Sequence, residues 1–260
     1  MAFYFIMTIT SIEKTNCVIL AAGISSRLRP LTDDRPKCLL EINGKTLLQS
    51  TLEHVFAAGL RRVAIVAGYK AEMIREHFFT QFPEKRFKYI FNPNYQTTNN
   101  AYSLLLAKKF LEDHNQEITN NLLLLDSDLL FGSQLLPAFL SGDVSDKIAV
   151  RVQGEHDEEE EIGINVNAAG IITNIGKNIA GAAGESIGIE LFSPSSTAKL
   201  FAVLEHRVRA GSGRTEFYEA SFQQLIEQGS EFSMIDVSEH PIMEIDTIED
   251  YRQAQQLIVG

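Results

Sequence analysis

The chain has 260 residues, which is enough to bury a substantial core in one large domain or two small ones. Hydrophobic residues make up 45% and charged residues 22% of it, which is typical of a globular protein and excludes a disordered one. The formal net charge of -11 disfavours a general nucleic-acid-binding protein, because such a protein needs a basic face for the phosphates.

Over the first half of the chain, short apolar runs alternate with amphipathic segments, which is the pattern of βαβ units and a parallel sheet. Strands are expected at residues 17–21, 63–67, 88–91 and 122–125, and helices at 46–58, 71–79 and 101–112. Thr46 and Gln49 form a capping-box pattern at the first of these helices, and Gly59 follows its end.

After residue 152 the alternation of strands and helices ends. Two apolar runs, at 162–167 and 171–175, flank Ala-Ala-Gly and predict a β-hairpin. Further strands are expected at residues 147–152, 185–192 and 232–237, and helices at 194–209, 215–228 and 247–258. Thr247 and Asp250 form a second capping-box pattern at the last helix. Because there is no repeat and no long linker, we expect one domain of residues 16–260 after an N-terminal extension of residues 1–15.

The cellular location is predicted from three features. The two cysteines, Cys17 and Cys38, are too few for a disulfide framework and are typical of a reducing compartment. Every apolar run ends well short of the ~20 residues that cross a bilayer. The apolar start, residues 1–7, lacks the positive region and the cleavage site of a signal peptide. We therefore expect a cytoplasmic protein with no membrane partner.

A basic segment follows the first predicted strand and so lies at the carboxyl edge of the sheet, where open α/β folds bind ligands. From Arg27 to Lys37 it has four basic residues against two acidic ones, in a chain that is acidic overall. Gly23, Ser25 and Ser26 would let backbone N–H groups approach phosphate oxygens. The pattern favours a site for an anionic ligand; the alternative is an exposed loop with incidental arginines.

Three aspartates lie at predicted strand ends. Asp126 and Asp128 follow the most apolar strand, and Asp246 ends a short apolar run before a helix. Carboxylates at neighbouring strand ends repel one another unless a cation lies between them, and Mg²⁺ prefers carboxylate, phosphate and water oxygens. The residues are therefore candidates for a magnesium site; the alternative is that they are turn and helix-capping residues.

The segment from Gly23 to Lys37 resembles the signature G-x-(G/S)-(S/T)-R-(L/M)-x-P…P-K of the sugar-phosphate nucleotidyltransferase superfamily. Over residues 16–258 the chain is more closely similar to the phosphocholine cytidylyltransferase branch. The motifs that carry this resemblance are NGKTLL at 43–48, VAGY at 66–69, YQTTNNAYSL at 95–104, DSD at 126–128, ESIGI at 185–189 and EIDTIEDY at 244–251. Several ordered motifs at family-like spacing are a specific signal.

The resemblance implies a Rossmann-like three-layer α/β/α fold with a mostly parallel, mixed central sheet. Residues 16–153 would bind the nucleotide and residues 154–246 the acceptor, in a monomer or a homodimer. The implied reaction is Mg²⁺-dependent transfer of a nucleotidyl group from CTP to phosphocholine or a similar phosphorylated alcohol, with release of pyrophosphate. Two alternatives stay open: a sugar-1-phosphate nucleotidyltransferase that uses another NTP, and a non-catalytic nucleotide-binding subunit.

The resemblance also assigns roles to residues. Arg27 is expected at the β- and γ-phosphates, Lys37 at the α-phosphate, and Asp128 and Asp246 at the Mg²⁺ ion. The full set of nucleotide-binding residues is expected to be Ala21, Ala22, Gly23, Ser25, Ser26, Arg27, Lys37, Gly68, Tyr69, Thr98, Asn99, Asn100, Ser103 and Asp126. The polar run from Thr98 to Ser103 would read the pyrimidine edge, although Asn residues there could equally cap a helix.

For the acceptor, the phosphocholine branch implies a cage of aromatic and acidic side chains around the trimethylammonium group. This chain has no Trp, the best ring for a cation–π contact, and has the acidic run His156–Glu161 where the branch has a cage tryptophan. The acceptor-binding residues are expected to be Glu190, Tyr218 and Glu244; Phe192, Phe217 and Glu219 are further candidates. The acidic run is either a solvated loop or attracts an amine-bearing acceptor.

Overall fold

The structure, a computed structural model, describes residues 12–84, 87–142, 146–152 and 161–257. Most of the predicted N-terminal extension, residues 156–160 of the acidic run and the end of the last predicted helix lie outside these ranges. None of the helices in the described ranges combines the length and the apolar character that crossing a membrane requires.

The described residues form thirteen β-strands and eight α-helices. The strands are β1 (Thr15–Ala21), β2 (Glu41–Ile42), β3 (Lys45–Thr46), β4 (Arg62–Ala67), β5 (Phe87–Phe91), β6 (Asn121–Asp126), β7 (Leu129–Phe131), β8 (Lys147–Arg151), β9 (Gly163–Val166), β10 (Ile172–Gly176), β11 (Gly184–Phe192), β12 (Ser233–Asp236) and β13 (Ile242–Glu244). The helices are α1 (Leu47–Ala57), α2 (Ala71–Gln81), α3 (Asn100–Leu106), α4 (Lys108–Leu111), α5 (Leu135–Leu140), α6 (Pro194–Ala210), α7 (Glu219–Glu227) and α8 (Ile248–Ala254).

One mixed sheet organises the molecule. Strand β1 pairs in parallel with β4 on one side and with β6 on the other, and β5 continues the parallel half beyond β4. Strand β11 pairs antiparallel with β6, and it also pairs antiparallel with both β8 and β9. The predicted α/β architecture is thereby confirmed, and the predicted hairpin is found as the antiparallel pair β9–β10.

The sheet is covered on both faces because successive side chains of a strand point to opposite sides. In β1, Cys17 and Ile19 belong to one core cluster with residues of α1, α2 and α5. Val18 and Leu20 belong to the other, with residues of α3, α6 and α7. The run at 17–21 does not alternate between apolar and polar residues, and such a run predicts a strand that is buried on both faces, as observed.

Several predicted elements differ from the observed ones in their bounds. The predicted helix at 101–112 is divided at Ala107 into α3 and α4, and the predicted helix at 215–228 begins only at Glu219. The late start has a tertiary cause: the backbone N–H of Tyr218 donates to the Asn100 side chain, and the Arg214 carbonyl accepts from Asn99. These contacts hold the segment before α7 against the start of α3.

The two predicted capping boxes are realised to different degrees. At α8 the Thr247 hydroxyl accepts from the Asp250 N–H, and the Asp250 side chain accepts from the Thr247 backbone in return. At α1 the Thr46 side chain accepts from the Gln49 N–H, but the Gln49 amide donates to Glu53 instead of returning to Thr46. Short elements such as β7 and α5 were not predicted, because they are too short to show a period.

Gly188 gives β11 an irregular backbone at the point where it passes Asp126. It has a φ of +67°, and the pairing of β11 with β8 shifts register between Ser186 and Glu190. A Cβ atom at this position would lie 2.8 Å from Asp126 Oδ2, closer than real Cβ contacts allow. Glycine is therefore required here both by the backbone angle and by the close approach of Asp126.

We predict that Gly188→Ala is more destabilising than Gly170→Ala, a matched control. Gly170 also has a positive φ, of +75°, but an added Cβ there would meet nothing within 4 Å. The control should lower the free energy of unfolding by about 1–2 kcal/mol, the cost of the backbone angle alone. Gly188→Ala should cost roughly 1–3 kcal/mol more, because it also displaces Asp126. Equal losses in urea denaturation would show that Asp126 is not packed against Gly188.

Candidate active site

The carboxyl ends of β1 and β6 open into a cleft with a volume of about 270 Å³. Most of the predicted site residues line it: Ala21, Ala22, Gly23, Ser25, Arg27, Lys37, Thr98, Asn99, Asn100, Ser103, Asp126, Asp128, Glu244 and Asp246. Ser26, Gly68, Tyr69, Glu190 and Tyr218 are predicted site residues that are not part of this lining.

Two basic and two acidic side chains meet at the centre of the cleft. The Lys37 Nζ atom lies 2.7 Å from Asp128 Oδ2 and 2.6 Å from Asp246 Oδ1, and one Arg27 guanidinium nitrogen lies 2.6 Å from Asp246 Oδ2. The Lys37 side chain is only 10% exposed, whereas that of Arg27 is 52% exposed. The cluster therefore has a buried ammonium at its base and a solvated guanidinium at its rim.

The pKa values of this cluster follow from burial and from opposite charges. Burial would lower the pKa of Lys37, but the charges and hydrogen bonds of Asp128 and Asp246 outweigh it and raise the pKa above its usual range. Burial would raise the pKa of Asp246, but the charge and hydrogen bond of Lys37 and the charge of Arg27 lower it instead. The ammonium and the Asp246 carboxylate are therefore both charged at neutral pH.

Strand pairing explains how Asp128 and Asp246, so distant in sequence, come together. Strand β13 pairs antiparallel with β7, so that Glu244 is opposite Leu129. The backbone N–H of Ile245 then donates to the Asp128 carbonyl at 3.0 Å. The Asp246 backbone N–H donates to the Asp250 carboxylate of the α8 capping box, which fixes the position of the second aspartate.

Tyr69 supports the basic segment from outside the cleft. Its hydroxyl donates toward the backbone carbonyls of Thr32 and Asp33, at 2.9 and 3.0 Å, and its N–H donates to the Ala22 carbonyl. The Thr32 hydroxyl in turn donates to the carbonyl of Ser25, which has a φ of +53°. These contacts indicate that Tyr69 shapes the loop; a direct contact of Tyr69 with nucleotide stays a prediction.

The polar run after β5 has both of the roles that its sequence allows. Asn99 caps α3, because its side chain accepts from the Asn100 N–H. The Asn92 amide donates to the hydroxyls of Thr98 and Ser103, which fixes both hydroxyls at the cleft wall. Asn92 was not predicted as a site residue, and only its buried position behind the run reveals it.

Beyond the central cluster, the cleft ends among buried carboxyl groups. Asp126 accepts a hydrogen bond from the Tyr218 hydroxyl at 2.9 Å. Oε2 of Glu219 is buried with no hydrogen-bond partner in the part of the chain that the structure describes, and Glu190 is fully buried beside the Ser186 hydroxyl. Tyr218 and Glu190 thus lie behind the lining, while Glu219 and Glu244 form part of it.

Burial dominates the protonation of these groups. It raises the pKa of Glu219 to about 7, against a smaller lowering by Lys177. It also raises the pKa of Glu190 well above its usual range, and the charges of Asp126 and Glu219 add to the effect. The pKa of Glu244 is raised in the same way, by burial and then by the charge of Asp128.

Lys177 is a lining residue that sequence reasoning missed. It directly follows β10, and its charge lowers the pKa of both Asp246 and Glu219. Its Nζ atom lies 5.1 Å from the centre of the Phe217 ring, which also lines the cleft. No local pattern marks Lys177 as a site residue, because the β9–β10 hairpin reaches the cleft only through tertiary packing.

The central cluster fits a divalent cation in the type and direction of its oxygens. Among the described residues, no group of three or more His, Cys, Asp or Glu side chains is arranged to hold a metal ion. Asp128 and Asp246 nevertheless already converge on one positive charge, the Lys37 ammonium. Two carboxylates, completed by phosphate and water oxygens, are a donor set that suits Mg²⁺.

Comparisons with known proteins identify relatives of this chain. It is 32% identical over 132 residues to a CMP-5'-(3-aminopropyl)phosphonate synthase of Streptomyces rubellomurinus, a match that covers 51% of this chain and 20% of that protein. It is 24% identical over 247 residues to the choline-phosphate cytidylyltransferase of Streptococcus pneumoniae, covering 93% of this chain and 97% of the relative.

The fold comparison agrees with the sequence comparison. The solved CTP:phosphocholine cytidylyltransferase from Streptococcus pneumoniae superimposes with a TM-score of 0.74 at 21% identity, covering 93% of this chain and 98% of that structure. The predicted Rossmann-like nucleotidyltransferase fold is thereby confirmed. Residues 16–175, more than half of the chain, match the model of the nucleotidyl transferase family. The chain therefore belongs to the nucleotidyl transferase family, and the resemblance predicted from its sequence motifs is confirmed.

Proposed function

We propose that this nucleotidyltransferase is an Mg²⁺-dependent cytidylyltransferase that joins the CMP part of CTP to a small phosphorylated alcohol, phosphocholine or a similar compound. The observation that carries the proposal is the convergence of Arg27, Lys37, Asp128 and Asp246 in one cleft at the carboxyl edge of the sheet. The choice of CTP is supported by relatives that are named for cytidylyl or CMP transfer.

In the proposed reaction an oxygen of the acceptor phosphate attacks the α-phosphorus of CTP. The bond between that phosphorus and the oxygen that bridges to the β-phosphate breaks, and pyrophosphate leaves with the bonding electrons. A phosphate monoester has a second pKa of ~6, so the nucleophile is already ionised at neutral pH and needs no general base.

The main barrier to this reaction is the repulsion between two polyanions, so that catalysis consists of positioning and charge stabilisation. Lys37 would contact the α-phosphate, because it is the buried cation at the base of the cleft, and exposed Arg27 would reach the β- and γ-phosphates. When bound, Mg²⁺ would neutralise phosphate charge in the transition state. Asp128 and Asp246 would hold it, since their carboxylates already face a common cation.

The two substrates would occupy different parts of the cleft. The cytosine and ribose would lie along the wall formed by Ala22, Gly23 and the polar run from Thr98 to Ser103. The acceptor would lie toward Glu219 and Glu244, with its phosphate near Lys177, whose charge acts on both Asp246 and Glu219. This arrangement would place the two phosphates on either side of the aspartates.

A panel of nucleotides and acceptors tests the proposed function directly. CTP, UTP, dTTP, ATP and GTP would each be combined with phosphocholine, 2-aminoethyl phosphate and several sugar 1-phosphates, with and without Mg²⁺. We expect pyrophosphate release with CTP, a phosphorylated alcohol and Mg²⁺ together. Release only with a sugar 1-phosphate and another NTP would favour a sugar-nucleotide enzyme, and binding of CTP without turnover of any acceptor would indicate a regulatory subunit.

We predict that Lys37→Ala and Asp128→Ala each lower turnover by at least ~100-fold, which is typical for the loss of one charge-stabilising contact in an active site. Lys45→Ala is the matched control: Lys45 forms an exposed ion pair with Glu53, and such pairs contribute little. Circular dichroism would establish that each variant folds. Turnover close to that of the unchanged enzyme in either Lys37→Ala or Asp128→Ala would remove the residue from the mechanism.

A further inference from the structure

The acceptor end of the cleft has more carboxyl groups than the described basic side chains around it can pair with. Asp126, Glu190, Glu219 and Glu244 are close enough for their charges to act on one another. Lys177 is the cation whose charge reaches Glu219. Lys37 and Arg27 are engaged by Asp128 and Asp246, and Arg151 pairs with Glu185.

The hydrogen bonding of these carboxyl groups is also incomplete. Glu219 is 6% exposed, and its Oε2 atom is buried with no hydrogen-bond partner among the described residues, although Glu219 lines the cleft. Glu190 is fully buried behind the lining, where the Ser186 hydroxyl is close enough to donate a hydrogen bond to it. Buried polar atoms are normally satisfied, because an unpaired one costs about 1–3 kcal/mol. Such an atom on a residue that lines a ligand cleft indicates that a ligand supplies the missing donor.

We infer that the acceptor carries a primary ammonium group, which donates N–H hydrogen bonds to Glu219 at the end of the cleft with Glu190 and Glu244 around it. The inference rests on the proposed function and specifies its acceptor as an amino-alkyl phosphate. The phosphate end of the molecule faces the aspartates and Lys177, and the ammonium end faces the carboxylates.

A quaternary ammonium group would not satisfy this end of the cleft. Trimethylammonium has no N–H donor, so it would leave Oε2 of Glu219 unpaired. It is bound instead by the faces of aromatic rings, of which Trp is the most effective, and the chain contains no Trp.

Among the described residues, the aromatic rings near the cleft already contact other groups. Phe217 has the Lys177 ammonium 5.1 Å from its ring centre, and the fully buried Tyr218 donates its hydroxyl to Asp126. Tyr95 also lines the cleft, but its ring centre lies 6.3 Å from that of Tyr69, on the side of the basic segment. The acceptor end of the cleft therefore offers carboxylate oxygens in preference to ring faces.

A methylation series on the unchanged enzyme tests the inference. With saturating CTP and Mg²⁺, kcat/KM would be measured from pyrophosphate release for 2-aminoethyl phosphate and its N-methyl, N,N-dimethyl and N,N,N-trimethyl derivatives, the last being phosphocholine. Ethyl phosphate serves as the acceptor without an amine. We expect kcat/KM to fall by at least ~100-fold from the primary amine to the trimethyl compound and to ethyl phosphate, because a site built for hydrogen bonds rejects analogues that cannot make them.

The outcomes separate this inference from the proposed function. Phosphocholine or ethyl phosphate as good an acceptor as 2-aminoethyl phosphate would overturn the primary-ammonium inference and leave cytidylyl transfer intact. Release of pyrophosphate only with sugar 1-phosphates would overturn both the inference and the proposed acceptor class. Absence of release with every acceptor in the presence of bound CTP would overturn the proposed function itself.

The variant Glu219→Gln tests whether Glu219 recognises the ammonium group. Its matched control is Glu227→Gln, on the exposed face of the same helix. Glu219→Gln should lower kcat/KM for 2-aminoethyl phosphate by at least ~10-fold, the loss of one charged hydrogen bond. The effect should fall on the KM of the acceptor and leave the KM of CTP unchanged, whereas Glu227→Gln should change neither. A Glu219→Gln enzyme with an unchanged acceptor KM would overturn the assignment, and the methylation series decides the inference if the variant does not fold.

Discussion

The ion pair that joins Lys37 to both Asp128 and Asp246 is the interaction on which the rest of the site depends. Three separate parts of the chain meet there: the basic segment after β1, the turn between β6 and β7, and the end of β13. Each charge is stable in this partly buried position only because the others are present, and removal of one partner leaves an uncompensated charge. In the proposed mechanism, the same contacts that hold the cleft together therefore also place the reactive groups.

This arrangement prepares the cleft for polyanionic ligands without a large reorganisation. The cations are fixed by carboxylates, and the carboxylates are fixed by the β7–β13 pairing and by the α8 capping box. A triphosphate with its metal ion brings charges of both signs to groups that already have defined positions. Gly188 and Tyr218 also fix the position of Asp126, next to the end of the cleft where we propose that the acceptor binds.

The sequence predicts the parts of this site that have local patterns. The buried strand before Asp126 and Asp128, the basic segment and the Thr247–Asp250 capping box were all visible as runs or spacings. The contact between Lys37 and Asp246 joins residues 209 positions apart and depends on the pairing of β7 and β13, each of three residues. Strands of that length have no readable period. Lys177 was missed for the same reason, because tertiary packing alone brings it to the cleft, and the support that Tyr69 gives to the loop is likewise a tertiary contact. Asn92 had a local signal that was not used, because it directly follows β5 at the carboxyl edge of the sheet.

The most direct measurement of the role of the central cluster is a crystal structure of the enzyme with CTP and Mg²⁺. If the cluster is the catalytic centre, the metal ion will be bound by Asp128 and Asp246, and Lys37 and Arg27 will contact the triphosphate. A triphosphate bound elsewhere, or a metal ion bound away from both aspartates with Lys37 still between them, would contradict this role.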